Sequence, residues 1–330
     1  MCRLLCRTLQ LAALVAVLLG TSPAKAQEPV IQSSDFFVNT SDNISIHVHR
    51  KIAANGKIPV LLIHGTWCDG RVWDFPGRSV MDYLAVRGYD VYALDMRGMG
   101  QSVYSANYST ISLESRLQDA IGVVSYIVAN TGRAPVVIGW SQGGVITGML
   151  ASYAAVHAPQ LVAGVGLFSV GEGPFTVPAP FQQPIQVLVN TAITNGTYKF
   201  PLTPSEYFAA LFGTDPITNM PTISSGAFAT YLTLTEPDAV FVILEEAGAL
   251  PFFATSPPTP AWGTIQVPAL VVDGALDPLV GTDHAQVLFD ELGSAKKQLI
   301  VFPRNSHGWF LENNFAATQR VLDRFLAQFN

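Results

Sequence analysis

The strongest chemical signal in this 330-residue chain is Gly139-Trp140-Ser141-Gln142-Gly143, which directly follows the short apolar run 135–138 and precedes a helical pattern. A sharp strand-to-helix turn of this kind holds its central residue in a strained backbone conformation and thrusts the Ser hydroxyl into the open. It needs small residues two places before and two after, where chain segments crowd. The helix that starts there points its positive end at the hydroxyl. A serine so presented stays a weak nucleophile until a neighbouring imidazole accepts its proton. Two further clusters carry suitable groups: Asn305-Ser306-His307-Gly308 and Gly274-Ala275-Leu276-Asp277-Pro278.

The elements that must position these groups are read from periodicity. An alternating run at 44–48 predicts an exposed early strand, and apolar runs at 60–63, 91–94, 136–138, 165–168, 270–272 and 299–302 predict buried strands. Helical patterns cover 79–87, 113–130, 144–157, 283–292 and 315–329. Strands alternating with helices signal an α/β fold, a mostly parallel sheet with helices on both faces. The serine, aspartate and histidine clusters each fall just after a predicted strand. Between 171 and 267 the rhythm breaks, Pro becomes frequent, and short helical pieces such as 204–212 and 237–246 take over. This stretch reads as an insertion lying over a core made of 27–170 and 268–330.

Five motifs in this order resemble the α/β-hydrolase superfamily, in its serine esterase and lipase-like branch. They are His64-Gly65-Thr66-Trp67 after the strand ending at Ile63, the turn Asp95-Met96-Arg97-Gly98-Met99-Gly100-Gln101-Ser102, the serine elbow, the Asp277 loop and the His307 loop. The resemblance covers nearly all of the chain beyond the first 26 residues, and Ser, Asp, His is the family's own chain order. It implies an eight-stranded sheet, a helical cap formed by the insertion, and a catalytic triad. In that triad Ser141 is the nucleophile and His307 the general base, while Asp277 orients the far ring nitrogen of the histidine. The tetrahedral oxyanion falls to the backbone N–H groups of Gln142 and, by the resemblance, Thr66. One such donor is typically worth about 3 kcal/mol of barrier.

Ser at the elbow, where haloalkane dehalogenases and epoxide hydrolases of this fold carry Asp, points to acyl transfer through an acyl-enzyme. The expected activity is therefore hydrolysis of a moderately hydrophobic carboxylic ester or lactone, without metal or cofactor. A proline-iminopeptidase-like aminopeptidase and a cofactor-free C–C bond hydrolase are the alternatives on the same triad. Against the former, the elbow departs from Gly-Gly-Ser-Trp-Gly, and His-Gly-Thr-Trp departs from a Gly-Gly-Pro oxyanion turn. A noncatalytic binding protein on a hydrolase scaffold is the alternative of another class; the presence of all three triad members counts against it.

The other reactive side chains read as structural. His47 and His49 alternate on one face of an early strand and are expected on a solvated face, since no third metal ligand accompanies them. His64 orders the oxyanion turn, and His157 and His284 sit near helix ends. Trp140 and Trp309 are assigned to packing and only Trp67 to the substrate site. Cys68 is expected to be a buried small hydrophobe, and Glu245 and Glu246 an exposed helix charge. Between the predicted strands, Tyr207, Phe208, Leu211, Phe212, Phe228, Tyr231, Phe241, Phe252 and Phe253 make the insertion strongly apolar, which favours a greasy pocket over one for sugar or charged peptide.

Composition narrows the remaining classes. With 49% hydrophobic and 13% charged residues the chain is globular, and its net charge of −6 leaves no footprint for nucleic acid. Arg3 and Arg7 precede an uncharged apolar run from Leu11 to Gly20, and Ala24-Lys25-Ala26 follows. This is the pattern of a secretory signal peptide cleaved after Ala26. Its loss would leave 15 basic against 24 acidic side chains, a net −9, and Cys68 as the remaining thiol, with no intrachain disulfide. Secretion or a periplasmic location follows as an expectation. The sequons at Asn39, Asn43, Asn107 and Asn195 leave both bacterial and eukaryotic sources open.

Overall fold

The computed structural model describes residues 29–53, 57–66, 68–102, 111–171, 205, 208, 211–235 and 260–330. Residues Ile31–Asn330 form one compact unit and Met1–Val30 another, of which only 29 and 30 are described. The large unit is built on an eight-stranded sheet. Its strands, in chain order, are β1 (Gln32–Asn39), β2 (Ser45–Ile52), β3 (Pro59–Ile63), β4 (Asp90–Leu94), β5 (Val136–Trp140), β6 (Gly164–Phe168), β9 (Ala269–Gly274) and β10 (Lys297–Phe302), with β7 (Thr214–Asp215) and β8 (Met220–Pro221) forming a separate two-stranded ladder. The spatial order is β1-β2-β4-β3-β5-β6-β9-β10; the pairs β1/β2 and β2/β4 are antiparallel and the rest parallel.

Side chains of the central strands alternate between two cores. Val60, Leu62, Val91, Ala93, Val136, Ile138, Leu270 and Val272 point to one face, against α1 (Val80–Ala85) and α6 (Phe315–Leu326). Leu61, Ile63, Tyr92, Leu94, Val137, Val165, Leu167, Ala269 and Val271 point to the other, against α2 (Leu113–Thr131), α3 (Gln142–His157) and α5 (Thr282–Glu291). Each central strand is apolar on both faces because helices cover both, which is why these runs read as continuous rather than alternating. Local signals fix the helix ends. Ser112 and Ser115 bond reciprocally at the start of α2, and Gly132, at φ 67°, closes it.

Two strand expectations change. The strand expected at 44–48 begins at Ser45 and is buried at Ile46, His47 and Val48 rather than exposed, because β1 pairs along its free side. Strand β1, mostly exposed and reading Gln-Ser-Ser-Asp-Phe-Phe-Val-Asn, has no period-2 alternation and was not expected. At the other edge, β10 is half-exposed where a buried strand was expected, since β9 alone pairs with it.

Within 171–267 the described residues include the β7/β8 ladder and a helix, α4 (Ser225–Thr235). The expected helical piece at 204–212 is described only in part, and the one at 237–246, with Glu245 and Glu246, lies outside the described residues. Among the described residues no helix is long and apolar enough to cross a membrane.

Candidate active site

The loops after β3, β4, β5, β6, β9 and β10 leave the carboxyl ends of the strands, where open α/β sheets place their ligands. Ser141 lies between β5 and α3 at φ 55° and ψ −124°, a conformation costly for a residue with a Cβ. Its N–H bonds the Phe168 carbonyl at 2.8 Å. The flanking glycines are required by close approach. A Cβ on Gly139 would stand 2.1 Å from the Gly143 carbonyl oxygen, and one on Gly143 would stand 2.3 Å from that of His64.

The loop after β3 closes on this elbow: a Cβ on Gly65 would meet the Trp140 ring at 3.0 Å and the Ser141 Cβ at 3.1 Å. His64 shapes the loop. Its Nδ1 lies 2.8 Å from the Gly65 carbonyl, and its Nε2 accepts the Met96 N–H at 3.0 Å. Burial pushes its pKa down, so the ring stays neutral, as a ring that both donates and accepts must be. Thr66 follows, half-buried. Gln142 opens α3, so its N–H has no carbonyl one turn back to bond and is available to an anion. The Gln142 side chain is held by Arg116. Trp67 lies outside the described residues.

His307 is buried, with Nδ1 2.8 Å from Asp277 Oδ2. The other oxygen of Asp277 accepts the N–H groups of Leu279 at 2.8 Å and Val280 at 3.0 Å. Burial alone would raise the Asp277 pKa; the His307 ring and these amides outweigh it, and the carboxyl sits below its usual range. His307 Nε2 is buried and has no hydrogen-bond partner among the described residues. The loop carrying His307 is stiff because Trp309, Phe310 and Leu311 are fully buried, Trp309 stacking on Phe168 at 4.3 Å between centroids.

Several roles in this architecture were not read from sequence. Trp140 Nε1 donates to the His307 carbonyl at 2.7 Å, so Trp140 is more than packing. Glu312 accepts the Ser306 N–H on both oxygens, at 2.9 and 2.8 Å, and burial pushes its pKa up to about 8. The insertion also holds the loop. His307 N donates to the Leu211 carbonyl at 3.1 Å, Gly213 N to Ser306 Oγ at 2.7 Å, and Asn313 N to the Thr222 carbonyl at 2.8 Å. The one sequence trace of Glu312 is an acid placed directly after Trp309-Phe310-Leu311.

The remaining expectations divide. His47 is buried rather than solvated, its Nδ1 2.8 Å from Asp95 Oδ2 and its Nε2 3.1 Å from Asp35. Asp95 also takes the N–H groups of Gly70 and Gln101, which is how the 95–102 turn is fastened to its neighbours. Cys68 is buried, its Sγ 3.3 Å from the Gly65 carbonyl. Among the described residues no group of three or more His, Cys, Asp or Glu side chains could hold a metal ion.

With this geometry, a sheet of α/β-hydrolase order carrying a serine elbow beside a buried Asp-His pair, the chain belongs to the alpha/beta hydrolase family, whose sequence pattern matches residues 60–320. Its likenesses lie in the esterase and lipase-like branch. It is 26% identical over 280 residues to the pimeloyl-[acyl-carrier protein] methyl ester esterase of Vibrio campbellii, covering 84% of this chain and 98% of that protein. Among solved structures it is similar to an esterase from Exiguobacterium antarcticum, with a TM-score of 0.67 at 18% identity over 89% of this chain and all of that one. It is also similar to the enol-lactonase from Burkholderia xenovorans, with a TM-score of 0.63 at 16% identity over 88% of this chain and all of that one.

Proposed function

We propose that this carboxylic ester hydrolase works through an acyl-enzyme on Ser141, with His307 as general base and Asp277 as its orienting acid, and that its substrate is a moderately hydrophobic ester or lactone. The observation that carries the reading is the His307 ring, bonded through Nδ1 to Asp277 and leaving a buried Nε2 with no partner among the described residues, in the same loop cluster as the Ser141 elbow. Ser141 Oγ attacks the ester carbonyl carbon while its proton passes to Nε2. The resulting oxyanion is stabilised by the N–H groups of Gln142 and Thr66. Collapse breaks the bond to the alcohol oxygen, which takes the proton from Nε2. Water then attacks the acyl-serine by the same route, releasing the acid and restoring the Ser141 hydroxyl.

The insertion 171–267 serves as a cap in this reading. Phe228 meets Phe208 and Phe212 edge to face, Tyr231 adds to Phe212, and a Cβ on Gly308, next to His307, would stand 2.6 Å from the Phe212 ring. An apolar wall so close to the base favours an apolar acyl or alcohol group. Residues 1–26 serve as a cleavable export signal, which puts the mature protein outside the cytoplasm with Gln27 as its first residue.

An organophosphate reagent is expected to label Ser141 stoichiometrically and to abolish turnover of p-nitrophenyl esters. Normal ester turnover without an adduct by intact-mass analysis would overturn the serine mechanism. A panel of graded p-nitrophenyl esters, lactones and aminoacyl anilides reads the substrate class, and preferential cleavage of the anilides would overturn the ester reading. N-terminal sequencing of protein from the native host tests export; a cytoplasmic protein beginning at Met1 would overturn it.

A further inference from the structure

Near the end of β9, Asp273 is wholly buried four residues before Asp277. Its Oδ1 accepts the Gly274 N–H at 2.8 Å, and its Oδ2 receives no donated hydrogen bond among the described residues. Beside it stand the Asp277 carboxyl and the hydroxyl of Ser169, the residue after β6. Beyond Asp277 stand the His307 ring and, from the loop after β10, Glu312. Two carboxyl groups side by side in a dry site do not both ionise. Asp277 is the better seat for the charge, because it takes three donors, from His307, Leu279 and Val280, whereas Asp273 takes the Gly274 amide and stands beside the Ser169 hydroxyl, which also donates to the His307 carbonyl. A carboxylate offers about four acceptor positions, so Asp277 has one left for a hydroxyl.

We propose that Asp273 is a neutral carboxylic acid whose O–H donates to the Asp277 carboxylate, making Asp273 a positioning residue that sets how basic His307 is. Burial beside Asp277 pushes its pKa up to about 9, in keeping with a carboxyl that holds its proton at neutral pH. A donor on Asp277 spreads the negative charge that would otherwise stabilise the imidazolium, so the base stays neutral to lower pH. The inference rests on the reading of His307 as the general base.

The test combines a readout of protonation with one of catalysis. In full-length protein with aspartate isotopically labelled at the carboxyl carbon, infrared spectra at neutral pH are expected to show the carbonyl band of a protonated aspartic acid, and Asp273→Asn to abolish it. In the pH dependence of kcat/KM on a p-nitrophenyl ester, Asp273→Asn, whose amide keeps a donor toward Asp277, is expected to superimpose on the wild-type acid limb. Asp273→Ala, which loses the donor, is expected to shift that limb to higher pH. Absence of the band overturns the proposal, and so does an acid limb that moves to lower pH in Asp273→Asn, since that is the signature of a removed anion. If Asp273→Asn does not fold, the wild-type band alone decides, its persistence to pH 8 supporting the proposal and its absence overturning it. A wild-type protein that shows the band but hydrolyses no ester would leave Asp273 neutral and remove the catalytic reading instead.

Discussion

The indole N–H of Trp140 donates to the main-chain carbonyl of His307 at 2.7 Å, so the residue before the nucleophile grips the backbone of the base. Ser169 Oγ donates to the same carbonyl at 3.2 Å. Serine and histidine lie 166 positions apart in the chain, and this bond ties their loops directly. Trp140→Phe keeps most of the ring and removes the donor. Leaving a buried carbonyl short of one partner costs about 1–3 kcal/mol, and the second donor puts the effect at the lower end. A loss of about tenfold in kcat with little change in KM is expected from steady-state kinetics. An unchanged kcat in a folded variant would show that the bond does not position the base.

Asp277→Asn should preserve the fold and leave the imidazole in the wrong tautomer, a loss of up to about 10⁴ in kcat where this has been measured in a serine protease. Circular dichroism controls for folding. Near-normal turnover by Asp277→Asn, with activity lost in a folded Asp273→Asn, would move the orienting role to Asp273.

Glu312 offers a contrast between two substitutions. Because burial holds its proton, Glu312→Gln keeps both the charge and an acceptor for the Ser306 N–H, and activity near the wild-type level is expected at pH 7. Glu312→Ala strands a buried N–H and opens a cavity beneath His307, and a loss of about 2–4 kcal/mol of stability is expected in urea titration. Equal stability of the two variants would mean the carboxyl is not bracing the loop.

The same buried acids tie stability to pH. Folded, Asp273 and Glu312 hold protons up to about 9 and about 8; unfolded, they release them above about 4. The unfolded state therefore binds fewer protons between these limits, and stability falls as pH rises. His64, neutral when folded, acts in the opposite sense, with its gain complete above its unfolded pKa near 6.5. Between pH 7 and 8 the carboxyl effect should dominate, at up to about 1.4 kcal/mol per pH unit for each proton retained. Urea midpoints measured across that interval are expected to fall, and Glu312→Gln is expected to flatten the slope. A rising midpoint would contradict the assignment of these protons.

What the sequence determined by itself is local. Gly139 and Gly143 around Ser141 mark a turn because backbone crowding two residues either side excludes a Cβ, and that constraint is written within five consecutive residues. The central strands were legible for a similar reason, since burial on both faces leaves a continuous apolar run. Strand β1 was not, because its register depends on backbone pairing with β2 and not on an apolar pattern, and it is pairing with β1 that buries His47. The Gly274-Ala275-Leu276-Asp277 pattern names Asp277 as the acid for the histidine through family resemblance; tertiary structure supplies the contact, since the path of the chain after β9 brings it to the His307 ring. It also decided which acids keep their protons. Charge state follows from desolvation and from neighbours brought in from distant loops, and Asp273 and Glu312 hold theirs because the fold takes them out of water and sets them near the Asp277 charge.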